Sequence, residues 1–190
     1  MKLGSIPNLS LPPIITCMKG TPCAKKCYAM KSYRQYPAVA KNWKENLRFY
    51  QKDPSGYFNA VSTWLAKHKP EYFRWHVGGD IPDIVYLRSM EAVAKTHYNI
   101  QFLCYTKRWA MLQATHEEDV APNLTLVLSR WPGDSVPANV GRWPQAWMFD
   151  SKNLDTRIPK AGTFICPGSC TDCKKCWELE SNESVVFHIH

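Results

Sequence analysis

Apolar positions recur along the chain with two periods, and the alternation between them predicts the fold. Val39, Trp43, Leu47 and Tyr50 fall at i, i+4, i+8 and i+11, one face of a helix. Asp53-Pro54-Ser55-Gly56 breaks that pattern, and a second helix follows with Phe58, Val61 and Leu65 on one stripe, stopping before Pro70. Tyr72–Val77 then reads as a strand that runs straight into Gly78-Gly79-Asp80. Asp83 is placed to cap a helix with Ile84, Leu87, Met90 and Ala94 turned inward. Asn99–Tyr105 is a second strand, followed by a short helix around Trp109–Ala114, and Leu124–Ser129 is a third strand. A Pro- and Gly-rich loop leads to strands at Ala146–Asp150 and Thr163–Cys166, and Ser184–His190 has a strand's composition and alternation. The first 38 residues are rich in Pro and Cys and read as irregular, apart from an extended piece at Ile14–Thr16.

Strands alternating with amphipathic helices indicate β-α-β units and a parallel sheet, which either winds doubly or curls towards a barrel. Five to six strands are too few for a full eight-stranded barrel, so the expectation is an α/β partial (β/α) barrel of mostly parallel strands. Residues 1–160 would form this domain, and residues 161–190 a Cys-rich C-terminal extension packed on the same core. The loops after the carboxyl ends of the strands should carry the site.

Composition narrows the class. With 190 residues, 45% hydrophobic and 21% charged, eight Trp, nine Tyr and seven Phe, the chain has ample material for a core and is not disordered. No apolar run approaches the roughly 20 residues of a membrane span, so no membrane partner is expected. The N-terminal stretch has one Lys and is cut by Pro7, Pro12 and Pro13, which does not suit a secretory signal. The chain therefore reads as cytoplasmic, and its eight Cys become the main clue, because clustered cysteines in a reducing compartment usually bind metal. The net charge of +8 suits either a solubility margin or contact with an anion such as nucleic acid. Lys25, Lys26, Lys31 and Arg34 crowd the first cysteine group, and Lys174 and Lys175 the last.

The first group is Cys17, Cys23 and Cys27, spaced C-x5-C-x3-C. Three is the informative number. A closed zinc site needs four ligands, met here only by a distant His or Cys104, whereas three cysteines on a [4Fe–4S] cluster leave one iron open. The second group is Cys166, Cys170, Cys173 and Cys176, spaced C-x3-C-x2-C-x2-C, for which a second [4Fe–4S] cluster, a zinc ion, or completion of the first group's cluster all remain open. Cys104 reads as a small core residue in its strand. His188 and His190 share one face of the last strand, and His76, beside the Gly-Gly-Asp run, is a candidate for catalysis.

Three features stand in a telling order. A three-cysteine motif ends Cys27-Tyr28-Ala29, a strand ends Gly78-Gly79-Asp80, and a strand runs into Tyr105-Thr106-Lys107-Arg108 ahead of Pro122–Leu126. The chain thereby resembles the radical S-adenosylmethionine superfamily over Cys17 to Cys176, and especially its small phage and bacterial members of unknown function. The resemblance implies a partial barrel in which Cys17, Cys23 and Cys27 hold a [4Fe–4S] cluster whose open iron chelates S-adenosylmethionine. Reductive cleavage of that cofactor would then yield a 5′-deoxyadenosyl radical that attacks a substrate. It also implies that Gly78, Gly79 and Asp80 meet the methionine amino group, that Ser129 contacts the ribose, that Tyr28 stands in for the aromatic flanking the last cysteine, and that the C-terminal cysteines form an auxiliary-cluster extension. A reductant such as flavodoxin or ferredoxin would supply the electron. Three positions depart from the family pattern: the spacing is not C-x3-C-x2-C, Lys26 precedes the last cysteine, and Asp80 replaces Glu. Two further readings stay open: a non-catalytic iron–sulfur protein for electron transfer or redox sensing, and a zinc-stabilised nucleic-acid-binding protein.

Overall fold

Seven parallel strands make one sheet, and their order is almost the order of the chain. The computed structural model of the protein describes residues 3–115, 119–137, 140, 142–149, 156–159 and 161–188. The strands are β1 (Asn8–Leu9), β2 (Tyr72–Trp75), β3 (Gln101–Thr106), β4 (Leu124–Arg130), β5 (Gln145–Phe149), β6 (Thr163–Ile165) and β7 (Ser184–His188), arranged β1-β2-β3-β4-β5-β7-β6. Each strand from β1 to β5 lies beside the next, so the connections wind one way, as in a barrel wall, without the reversal that marks a doubly wound sheet. The edges, β1 and β6, lie at opposite ends of the order, so the wall stays open.

The helices are α1 (Tyr28–Gln35), α2 (Pro37–Lys52), α3 (Pro54–His68), α4 (Ile84–Thr96), α5 (Trp109–Gln113) and α6 (Cys170–Cys173). Inward residues of α2 to α5 share one core with Phe73, Trp75, Phe102, Cys104, Leu124, Leu126 and Leu128. The intervening strand positions, Leu103, Val127, Ala146 and Val185, face a second core. That core is closed by the two ends of the chain: Leu3 and Ile6 from one, Cys176, Trp177 and Leu179 from the other. Part of what fills the inner side of the open wall is thus the segment that carries the second cysteine group.

Caps fix the helix boundaries. Asp53 accepts from the Gly56 amide at 2.8 Å ahead of α3, and Asp83 from the Tyr86 amide at 2.9 Å ahead of α4. Asn123 donates to the carbonyls of Ala94, His97 and Ile100, closing the exit of α4 against β4.

Four expectations change. Among the described residues there are seven strands, not five or six. The extended piece near the N-terminus is Asn8–Leu9; at Ile14–Thr16 the chain turns instead, with Ile14 at φ 70° and the Thr16 hydroxyl donating to the Pro12 carbonyl. The first 38 residues are not irregular throughout, since α1 and a 3-10 turn at Pro22–Lys26 lie there. Helix α1 buries only Ala29, so it has no apolar stripe to betray it. Ile84 is exposed, whereas Leu87, Met90 and Ala94 are fully buried as read. Asp150 and His190 lie outside the described residues.

Candidate thiolate sites

The loop from Ser10 to Cys17 is stitched to the carboxyl end of β2 by hydrogen bonds that involve few side chains. The Ser10 hydroxyl accepts from the amides of Val77 and Gly78 at 3.0 and 3.3 Å, and the Leu11 amide donates to the Gly78 carbonyl at 3.0 Å. The Thr16 hydroxyl accepts from the Asp80 amide at 3.1 Å. Arg108, just beyond β3, donates through Nη2 to the Thr16 carbonyl at 2.7 Å and through Nε to the Ile81 carbonyl at 3.0 Å. The first cysteine group therefore sits where a parallel sheet places its site, past the carboxyl ends of the strands.

Cys17, at the end of that loop, lies within electrostatic reach of Cys23, Cys27 and Asp80. Burial pushes the Cys17 thiol up to about 11, opposed by the Ile14 amide that donates to its sulfur at 3.4 Å. Tyr28 begins α1 directly after Cys27, and its hydroxyl donates to the Val77 carbonyl at 2.8 Å. That bond ties the cysteine loop to the Gly-Gly-Asp run.

The Gly-Gly-Asp residues are close-packed among protein atoms. A Cβ on Gly78 would meet the Trp43 ring at 2.4 Å. Gly79, at φ 78°, would meet Thr16 Oγ1 at 2.6 Å and the Leu11 carbonyl oxygen at 2.7 Å. Asp80 is buried, and burial raises its carboxyl, while three donors oppose that: Thr106 Oγ1 at 2.6 Å, the Ile81 amide at 2.8 Å and the Lys107 amide at 2.9 Å. Lys107 Nζ then donates to Ser129 Oγ at 2.8 Å. Asp80, Lys107 and Ser129 thus form a polar belt across the ends of β2, β3 and β4.

His76 follows β2 in the left-handed region at φ 58°, with its ring in the helix-side core, 5.3 Å from that of Tyr86 and 6.3 Å from that of Trp75. Both ring nitrogens are buried without a partner, and burial, with Arg74 adding to it, pushes the imidazole down to about 3. A neutral, core-packed ring is what these surroundings favour.

The second group lies on the inner side of the wall. The Cys166 amide donates to the Val186 carbonyl, α6 spans Cys170–Cys173, Lys174 turns the chain at φ 53°, and a 3-10 turn covers Lys175–Trp177. Trp177 Nε1 donates to the Phe73 carbonyl at 3.1 Å and the Trp177 carbonyl accepts from Thr125 Oγ1 at 2.7 Å, fixing the segment to β2 and β4. Burial pushes the Cys176 thiol up to about 11; the Tyr105 hydroxyl donates to it, and Cys166, Cys170 and Cys173 are near enough to raise it further.

Arg74 faces this group from β2. Its guanidinium lies 4.9 Å from the centre of the Tyr105 ring and within electrostatic reach of Tyr28, Cys170 and Cys176. Its Nε is shut off from solvent without a hydrogen-bond partner, and among the described residues no carboxylate pairs with it. A buried cation lacking an anion fits a thiolate-bound centre, whose ligands carry negative charge. The residues of the second group thus fit a metal by charge as well as by donor type. Among the described residues, no three or more Cys, His, Asp or Glu side chains already stand together as a metal-holding set. Sequence reading assigned Arg74 and Tyr105 no role, since a lone Arg in an apolar strand and a Tyr inside a quoted motif reveal nothing until the second core is assembled.

No helix among the described residues is long and apolar enough to cross a membrane. No curated protein and no solved structure matches the chain. One family model does, that of Gene product 88, over residues 1–135, a span that takes in the first cysteine group, the Gly-Gly-Asp run and β1 to β4 and stops short of the second cysteine group. Matched over more than two thirds of its length, the chain belongs to the Gene product 88 family.

Proposed function

We propose that this chain is an iron–sulfur protein of radical S-adenosylmethionine type, with Cys17, Cys23 and Cys27 as ligands of one [4Fe–4S] cluster and Cys166, Cys170, Cys173 and Cys176 as ligands of a second. The observation that carries the reading is the place of Cys17, past the carboxyl end of β2 and within electrostatic reach of Cys23, Cys27 and Asp80, whose carboxylate is held by Thr106 and Lys107 at the end of β3. When bound, a three-cysteine cluster supplies one-electron reduction and an iron open to a chelating ligand. The chain's own part is to hold that ligand. Ser129 and Lys107 offer a hydroxyl and an ammonium at the end of β4 and β3, and Tyr28 keeps the cysteine loop fixed to β2. Arg74 balances charge at the second group, and a flavodoxin- or ferredoxin-like reductant would deliver the electron.

The test is titration of anaerobically purified protein with S-adenosylmethionine while its paramagnetic signal is followed, then reduction with dithionite and a search for 5′-deoxyadenosine. A shifted signal and product support the reading. A cluster with neither supports a second one, a non-catalytic electron carrier. The three protein donors on the Asp80 carboxylate favour that alternative, because they leave one of its about four lone-pair sites for a ligand's ammonium.

A further inference from the structure

The net charge of +8 is not spread over the molecule. Residues 19–52 carry nine of the 24 Lys and Arg but one of the 16 Asp and Glu, which leaves the rest of the chain with fifteen of each sign. The whole surplus thus belongs to the segment running from the first cysteine loop through α1 and α2. All nine of these cations, Lys19, Lys25, Lys26, Lys31, Arg34, Lys41, Lys44, Arg48 and Lys52, are exposed.

They form a surface rather than a list. On α2, Lys41, Lys44, Arg48 and Lys52 sit at i, i+3, i+7 and i+11, opposite the buried Leu47 and Tyr50. Lys44 Nζ reaches 5.7 Å from the centre of the Tyr33 ring on α1, and Tyr33 stacks on Trp43, so the two basic helices share one face. The lone acid, Glu45, is 3.9 Å from Lys41 with both side chains in solvent, a pairing worth little. Exposed aromatic rings lie in the same segment: Tyr28 at 60%, Tyr36 at 52% and Phe49 at 43%. Like charges packed this closely repel one another, an arrangement that a polyanion relieves by releasing its counterions. Exposed rings among the cations select for unpaired bases, which have free faces to stack on, over a duplex or an acidic protein.

We infer that the α1–α2 face is a docking surface for single-stranded nucleic acid. The surface does not depend on what the cysteines hold.

The test measures fluorescence anisotropy of a labelled 20-nucleotide oligothymidylate with the full-length protein at 50–200 mM salt. Affinity should fall steeply as salt rises. The triple variant Lys41→Gln, Lys44→Gln, Arg48→Gln should bind about a hundredfold more weakly near 0.1 M salt, with its log–log salt slope shallower by about 2. Tyr36→Ala should weaken binding about tenfold with the salt slope unchanged. The control Lys67→Gln, Lys69→Gln, Lys95→Gln removes the same charge from exposed sites on α3, its exit and α4, and should leave affinity within about twofold. Circular dichroism melts check that each variant is folded. Equal losses in both triple variants would overturn the inference in favour of net charge alone. Equal affinity for a duplex, or displacement by polyglutamate at matched charge, would overturn the choice of partner.

Discussion

Thr106 Oγ1 donates to Asp80 Oδ1 at 2.6 Å, joining the end of β3 to the Gly-Gly-Asp run that follows β2. With the Ile81 and Lys107 amides on the same carboxylate, Asp80 is a clasp between neighbouring strands. Asp80→Asn would turn an amide donor towards one of these three donors and leave a buried group unpaired. We predict a loss of about 1–3 kcal/mol, read by urea denaturation at neutral pH. Unchanged stability with lost ligand binding would mean that the carboxylate serves a ligand instead.

Arg74 separates charge balance from packing. Arg74→Met keeps the apolar stem of the side chain but removes the guanidinium that lies over the Tyr105 ring and within electrostatic reach of Cys170 and Cys176. The variant should either hold less metal at the C-terminal group or retain it with a reduction potential lower by about 100 mV, since a lost neighbouring cation favours the oxidised, less negative state. Metal analysis and a potentiometric titration check this. Unaltered metal content and potential would remove Arg74 from the account.

His76 gives stability a pH dependence. Its folded pKa, about 3, lies below the 6.5 of an ordinary imidazole, so the unfolded chain binds the proton more readily. The contribution is full at pH 7 and above and declines as pH falls from about 6.5 towards 3, at up to about 1.4 kcal/mol per pH unit. His76→Asn suits the left-handed backbone and removes the titration. Unfolding free energies at pH 7 and 5 should show a smaller drop in the variant. Parallel drops would place the proton elsewhere.

What the sequence made legible is what periodicity and spacing carry. Leu87, Met90 and Ala94 lie inward on α4, Asp83 caps it, and β2 to β5 and β7 overlap the runs read for them. What escaped depends on distant partners. Strand β1 is two residues long and exists because Asn8 and Leu9 pair with Arg74 and Trp75, some 66 residues away. Helix α1 has a single buried residue to show. Gly78 and Gly79 were read as meeting a ligand's amino group, and the protein atoms that crowd them, from Trp43, Thr16 and Leu11, emerge only once α2 and the cysteine loop pack on β2. Arg74 and the cysteines it faces are about 100 residues apart and meet across the inner core.

The segment between β6 and β7 ties the proposed second metal centre to folding. It places Trp177 and Leu179 in the inner core and hydrogen-bonds to β2 and β4. Cys170→Ser with Cys173→Ser should remove one metal centre and lower the thermal midpoint, because a bound centre contributes free energy that the unfolded chain lacks. Unchanged metal content in this variant would show that the group is not a ligand set.

The central claim is that these cysteines hold iron and sulfide. Metal and acid-labile sulfide analysis of protein purified without oxygen tests it most directly. The account predicts brown protein with broad absorbance near about 400 nm and iron and sulfide in equal amounts. Colourless protein carrying stoichiometric zinc and no sulfide would contradict it.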